Sequence, residues 1–327
     1  MGLAFVPEVN YIPDTRRVGC NNGNGNMAET PPQAVSSPWT ARPQVRIELP
    51  SGASLDTGPR ALVMGIINVT PDSFSDGGRF FRPDAAAALG RDMVAAGADI
   101  IDVGGESARP GSDFVPADEE TRRVLPVIEE LAAETGVPVS IDTRKAEVAA
   151  AALDAGAQMI NDVSALRGDP DMAFLAAERA VPVCLMHMQG TPKTMQENPV
   201  YGEVVGDVKA WLQERIACAA EAGVRRDRII VDPGFGFGKT PQHNLELLRR
   251  LHELHGLGCA VMVGTSRKST LGVVLDAGPD QRLYGTLATV ACAVMSGCHI
   301  VRVHDVGPAL DVVRVCEAIG RGIGGSR

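Results

Sequence analysis

Residues 228–240 read RIIVDPGFGFGKT, a short aliphatic run that stops on an acid and passes at once into proline and glycine. A run this short and uniformly apolar suits a parallel strand covered on both faces; a strand with one wet face would alternate. The same construction recurs as ALVMGII (61–67), DIIDV (99–103), VPVSI (137–141), QMINDV (158–163), VPVCLM (181–186), CAVMV (259–263) and HIVRV (299–303). Ala-, Leu- and Glu-rich stretches of helical period fill the intervals, at 83–97, 117–135, 144–156, 170–180, 202–223, 241–255 and 280–297, with a last one at 308–320. Gly97, Gly136, Gly156 and Gly223 follow such stretches as stops, and Asp118, Pro170 and Pro308 stand near starts.

Strand starts recur about every 34 residues from Leu62 to Ile300, which suits a βαβ crossover. Eight strands, each followed by a helix, predict a closed (β/α)8 TIM barrel rather than an open doubly wound sheet. A dinucleotide fold would carry G-x-G-x-x-G after its first strand, and none stands there. The barrel domain is placed at 44–322, with QVRIEL (44–49) expected as a short strand capping the barrel floor. Residues 1–43 are rich in Asn, Gly and Pro, so this N-terminal extension is expected to be disordered, and Met27 within it is a second possible start.

With 31 Lys and Arg against 40 Asp and Glu, the formal charge is −9, which argues against a nucleic-acid binder. A composition 45% hydrophobic and 22% charged supplies a sizeable core. The seven cysteines are odd in number and show no C-x-x-C pair, so buried free thiols are expected rather than a disulfide framework or a zinc site. No window is apolar enough to span a membrane, and the first residues lack the pattern of a secretion signal, which together point to the cytoplasm.

Chemistry in such a barrel collects where strands end, because the interior is packed and only that rim is open. The rim here carries Asn68, Asp102, Asp142, Asn161, Asp162, His187, Asp232, Lys239, Arg267, Lys268, Arg302 and His304. Buried without partners, polar groups would cost about 1–3 kcal/mol each, so a polar ligand explains them better than a packed core. The basic members come from the sixth to eighth strands, the side of these barrels that often holds phosphate. Asp142, Asn161 and Asp232 suit a flat heterocycle with adjacent N–H donors, and carboxylate bonds to a guanidine-like edge are strengthened by charge. Phe74 and Phe237 lie on glycine-bearing loops, where exposure without a partner is unfavourable.

In order along the chain, MGIINVTPDSFSDGG (64–78), IIDVGGESARPGS (100–112), SIDT (140–143), NDVSA (161–165), MHMQGTP (186–192), DPGFGFGKT (232–240), VGTSRKS (263–269) and RVHDV (302–306) resemble the dihydropteroate synthase family. The resemblance runs from about 61 to 320 and implies condensation of 6-hydroxymethyl-7,8-dihydropterin pyrophosphate with p-aminobenzoate, Mg2+ riding on the diphosphate. It implies pterin contacts from Asp142, Asn161, Asp232 and Lys268. Asn68 would touch the metal-bound diphosphate together with Arg302 and His304. Phe74, Pro110, Phe237 and Ser269 would wall the aminobenzoate pocket beside Arg267, while Asp102 and Arg109 count among the substrate-binding residues. The loops at 69–82 and 105–116 would close over the substrates, and a homodimer is expected. Ala108 departs from the family pattern, which has Thr or Ser there; the missing hydroxyl is one that would bond the diphosphate.

Other readings fail or stay open. Asn68-Val69-Thr70 fits a glycosylation pattern but sits at a barrel rim, and the run ending Gly-Lys-Thr lacks the first glycine of a phosphate loop because Pro233 holds that position. His187 reads as a hydrogen-bonded core histidine and takes no catalytic part. Lys239 reads equally as a solvated surface charge, and Asp102 and Asp162 as pins for neighbouring loops. A methyltransferase passing methyl groups from a reduced folate to a corrinoid partner would need no diphosphate site, which Ser-Arg-Lys and Arg-x-His speak against. A silent pterin-binding protein is separated from an enzyme by pyrophosphate release.

Overall fold

The computed structural model describes residues 39–70, 83–107 and 111–322. The eight expected strands are present as β3 (Leu62–Asn68), β4 (Ile100–Gly104), β5 (Val139–Asp142), β6 (Met159–Asp162), β7 (Val183–Met186), β8 (Ile229–Asp232), β9 (Ala260–Val263) and β10 (Ile300–Val303). Each pairs in parallel with its neighbours and β10 returns to β3, which closes the barrel. A hairpin of β1 (Arg46–Glu48) and β2 (Ser54–Asp56) precedes it.

The pleat sorts the strand side chains onto two faces. Ile101, Val103, Ile141, Ile160, Val231 and Val301 point outward into the shell shared with the helices. Ile100, Met159, Ile230 and Ile300 point inward, and Ile47 and Leu49 of the hairpin region plug the same layer from below. The expected floor cap is therefore a two-stranded hairpin rather than a lone strand. One pleat further along, the inward series becomes Asp102, Asn161, Asp232 and Arg302, so a single alternation carries the lumen from apolar floor to charged mouth.

Around the strands lie α1 (Pro83–Ala95), α2 (Ala117–Glu134), α3 (Ala146–Asp154), α4 (Met172–Glu178), α5 (Val204–Glu221), α6 (Pro241–Arg249), α7 (Ser269–Leu275), α8 (Leu283–Met295) and α9 (Val306–Arg321). Thr240 caps α6 by accepting from His243 N, with Pro241 at the first helical position. α6 stops at Arg249, and the remainder of the expected 241–255 helix is a 3-10 turn over Leu251–Leu257. α9 begins at Val306, which places Pro308 within its first turn, where a missing N–H breaks no helical bond.

The short α7 has no counterpart in the periodicity, because Gly272 and two valines read as non-helical. Tertiary packing forms it nonetheless: a Cβ at Gly272 would stand 2.3 Å from the Arg282 guanidinium, which crosses there to bond the carbonyls of Ala277 and Arg267.

Residues 39–43 pack against the barrel's helices. Thr40 N donates to Met295 O, and Arg42 donates to the carbonyls of Cys298 and Thr57 and pairs with Glu317. The composition-based boundary at 43 thus falls inside a hydrogen-bonded segment, while residues 1–38 lie outside the described residues. Among the described residues six cysteines are free, four of them buried, and no helix is long and apolar enough to cross a membrane.

Candidate active site

Arg302 organises the charged mouth. From β10 it reaches across β3, donating Nε–H to Asp102 Oδ2 at 2.6 Å and Nη2–H to Asp142 Oδ2 at 2.7 Å. Asp102 is fully buried, whereas the Asp142 and Arg302 side chains are 15% and 17% exposed. Burial alone would disfavour the guanidinium, but Asp102 and Asp142 outweigh it and hold Arg302 above its ordinary pKa. Burial pushes the Asp142 carboxyl up to about 7, with Arg302 opposing and Asp102, Glu120 and Asp162 adding to the rise.

Asp102 Oδ2 also accepts from Asn161 Nδ2 at 2.8 Å. A buried carboxylate can only accept here, so the amide is fixed with its N–H toward Asp102 and its Oδ1 as the remaining acceptor. Asp102 thus sits beneath the mouth and aims both Arg302 and Asn161. Its other oxygen, Oδ1, is buried with no hydrogen-bond partner.

Asp232 ends β8, and its Oδ1 accepts from Gly234 N at 2.7 Å. Burial raises its pKa, while that bond and the charges of Lys268, Arg302 and Lys239 pull the other way. Gly264 after β9 stands between Asp232 and Arg302: a Cβ there would lie 4.0 Å from Asp232 Oδ2 and 3.8 Å from Arg302 Cβ. Lys268 donates Nζ–H to Phe235 O at 2.9 Å, and its ammonium lies 3.9 Å from the centre of the Phe237 ring. Phe237 in turn packs on Val163, Met186, Met188 and Met195, which form the apolar lip of the mouth.

On the basic side, His304 Nδ1 and Ser266 Oγ are 2.9 Å apart. Arg267 holds a left-handed φ of +57°, unusual for a residue with a Cβ. Thr286 Oγ1 accepts from its N–H, Arg282 donates to its carbonyl, and its guanidinium forms a two-point pair with Asp305 at 2.7 and 3.1 Å. Ser269 opens α7 at the surface, and Asn68 is half-buried at the end of β3.

Asp102, Asp142, Asn161, Asp232, Phe237, Lys268 and Arg302 therefore meet at one mouth, with Asn68, Arg267, Ser269 and His304 on neighbouring strand ends or loops. Phe74, Ala108, Arg109 and Pro110 lie outside the described residues, as does most of the first of the two expected closing loops. Asp162 acts as a loop pin, accepting from Ser164 N, Ser164 Oγ and Leu166 N. His187 is buried against the Trp211 ring, and burial holds its pKa down at about 2, so the imidazole is neutral. Lys239 is 2% exposed, which overturns its reading as a surface charge.

Residue-type reasoning passed over a buried ion network beside the mouth. Lys145 pairs with Glu106 and with the fully buried Glu120, and Arg144 pairs with Glu106 at 2.5 Å. Glu120 looks like an ordinary acid in the first turn of α2. Its register with Val124, Val127 and Leu131 on the buried stripe was the available signal.

The pterin binding enzyme family model matches residues 64–304. The dihydropteroate synthase of Escherichia coli strain K12 is 49% identical over 267 residues, covering 82% of this chain and 94% of that protein. The solved structure of Xanthomonas albilineans dihydropteroate synthase with 4-aminobenzoic acid superposes with a TM-score of 0.80 at 45% identity, over 85% of this chain and 99% of that one. The Yersinia pestis dihydropteroate synthase in a sulfonamide drug complex gives a TM-score of 0.80 at 44% identity, over 84% and 99% of the two chains.

Proposed function

The chain belongs to the family of pterin-binding enzymes that includes the dihydropteroate synthases, and on that membership we infer that its mouth joins 6-hydroxymethyl-7,8-dihydropterin pyrophosphate to p-aminobenzoate, giving 7,8-dihydropteroate and pyrophosphate. It is a transferase of folate biosynthesis. The observation that carries this reading is the donor and acceptor pattern at one mouth: acceptors at Asp142, Asn161 Oδ1 and Asp232, and the ammonium of Lys268. That is the complement of a fused ring offering N–H groups on one edge and acceptors on another. Each hydrogen bond to an ionised partner contributes about 1.5–3 kcal/mol.

The residue roles follow from charge. As the C–O bond to pyrophosphate breaks, positive charge develops on the pterin methylene and negative charge on the leaving group. Ionised Asp142 and Asp232 stabilise the first, and Arg302 and His304 the second. The amine of p-aminobenzoate then attacks, so no protein nucleophile is needed. Phe237, with Phe74 and Pro110, walls the aminobenzoate, with Arg267, Ser269 and Arg109 beside it. Asp102 contributes by aiming Arg302 and Asn161.

Among the described residues no cluster of three His, Cys, Asp or Glu side chains could cage a metal. Mg2+ suits such a site when it arrives on the diphosphate, because it keeps waters and phosphate oxygens and needs only one or two protein ligands. Asn68 would supply that ligand, and the ion would neutralise charge on the departing oxygens.

A cytoplasmic homodimer is proposed as well. Val273, Val274 and Tyr284, on the adjoining α7 and α8, expose large apolar side chains, a feature of subunit contacts. Sedimentation of the purified protein at micromolar concentration tests it.

The enzymatic reading is tested by pyrophosphate release with both substrates and Mg2+, then with p-aminobenzoate omitted. Release that requires both substrates is expected, and a protein that binds pterin without releasing pyrophosphate would overturn it.

A further inference from the structure

The loop Gly234–Gly238 joins Asp232 to α6 and is held along its whole length by side chains. Gly234 O and Phe237 O accept from Lys239 Nζ at 3.1 and 3.0 Å, and Phe235 O accepts from Lys268. Gly236 O accepts from Gln196 Nε2 at 2.8 Å, and Gly238 O from Tyr201 Oη at 2.7 Å. Lys239 Nζ also lies 2.8 Å from His187 Nδ1. His187 O lies 3.4 Å from the same Nζ. Burial keeps His187 neutral and lowers the Lys239 pKa to about 7; in its ammonium form Nζ has only N–H to offer, which makes Nδ1 the unprotonated ring nitrogen.

Lys239 therefore ties Gly234 and Phe237 of the loop to His187, the residue that follows β7. There is no slack in that join: Gly234 has a φ of +69°, and a Cβ on it would lie 1.8 Å from His187 O. On the function proposed above, Asp232 just before the loop faces the pterin and Phe237 within it the aminobenzoate; Lys268 is anchored to the Phe235 carbonyl between them.

We propose that Lys239 is a positioning residue of the condensation: a buried lysine that sets the distance between the pterin clamp at Asp232 and the aminobenzoate wall at Phe237. The inference rests on the function proposed above. Without the pin, the carbonyls of Gly234 and Phe237 lose the donor that joins them to His187, and the loop reopens toward solvent. Both substrates then bind more weakly, while the reacting groups are unaltered once both are seated.

The test compares wild type with Lys239→Met, and with Lys239→Gln should the methionine variant fail to fold. Amide hydrogen exchange of residues 234–238 in the free protein is expected to quicken at least tenfold. The KM for each substrate is expected to rise about tenfold, with kcat within threefold of wild type. A merely structural role would lower the fraction of active protein, and so kcat, with both KM values unchanged. Unchanged exchange overturns the pin whether or not the protein is catalytic. A rise in KM for one substrate only overturns its coupling role. Absence of pyrophosphate release from wild type would instead retire the functional reading, leaving the exchange measurement to judge the pin.

Discussion

Arg302 Nε and Asp102 Oδ2 are 2.6 Å apart although 200 residues separate them in sequence, and the strand between them contributes nothing to the bond. Asp102 Oδ2 also holds Asn161, so one oxygen aims a guanidinium and an amide of the mouth together. Removing one partner of a buried pair leaves an uncompensated charge and costs about 3–5 kcal/mol. Asp102→Asn keeps the volume and removes that charge. Its kcat/KM for the pterin pyrophosphate is expected to fall about 100-fold and its melting temperature to drop, while the KM for p-aminobenzoate changes less than threefold. Steady-state kinetics at saturating co-substrate checks this.

The pH dependence follows from Asp142. Its carboxyl is raised by burial to about 7, so the ionised form that grips N–H donors forms only as pH climbs toward that value. kcat/KM for the pterin should therefore decline below about pH 7. Stability runs the opposite way. A carboxyl raised in the folded state favours folding fully below its unfolded value, near 4, and that contribution is lost as pH rises through about 7. In Asp142→Asn the part of the acid limb due to this group should vanish, with activity about 100-fold lower. A limb unchanged in the variant would assign it to another group.

Arg267 is neutralised by Asp305 through two hydrogen bonds, with side chains 38% and 23% exposed. At that exposure the pair contributes little to stability, but it shields the cation from an incoming carboxylate. Asp305→Asn should lower the KM for p-aminobenzoate about threefold, leaving inhibition by neutral sulfanilamide unchanged. Equal shifts for both compounds would contradict a charge effect.

Ala108 stands where the resemblance to dihydropteroate synthases implies a Thr or Ser hydroxyl. A hydrogen bond from that hydroxyl to the diphosphate is worth about 1.5–3 kcal/mol. Ala108→Thr should tighten binding of the pterin pyrophosphate tenfold or more, and calorimetry with Mg2+ present measures it. An unchanged dissociation constant would retire this reading.

The barrel was legible because parallel strands buried on both faces must be short and apolar, and eight such runs recur at one spacing. Asp142, Asn161, Asp232, Lys268 and Arg302 were legible as well, since each lies at or just beyond the C-terminal end of a strand and the rim is the only open end of a packed barrel. Partners were not legible. Nothing local tells that Arg302 meets Asp102, that Glu120 turns inward to Lys145, or that Lys239 is buried on His187 rather than solvated. α7 escaped for a related reason: Gly272 weakens the helix locally and is present because Arg282 crosses it.

Chain order and residue type by themselves determined the strands, the closure and the polar mouth, because hydrophobic periodicity and the pleat act over a few residues. Only the tertiary structure decided which charges neutralise one another, which way Asn161 faces and what pins the glycine loop. Those outcomes depend on distances between strands far apart in sequence and on desolvation, which exists only once the chain has closed around them.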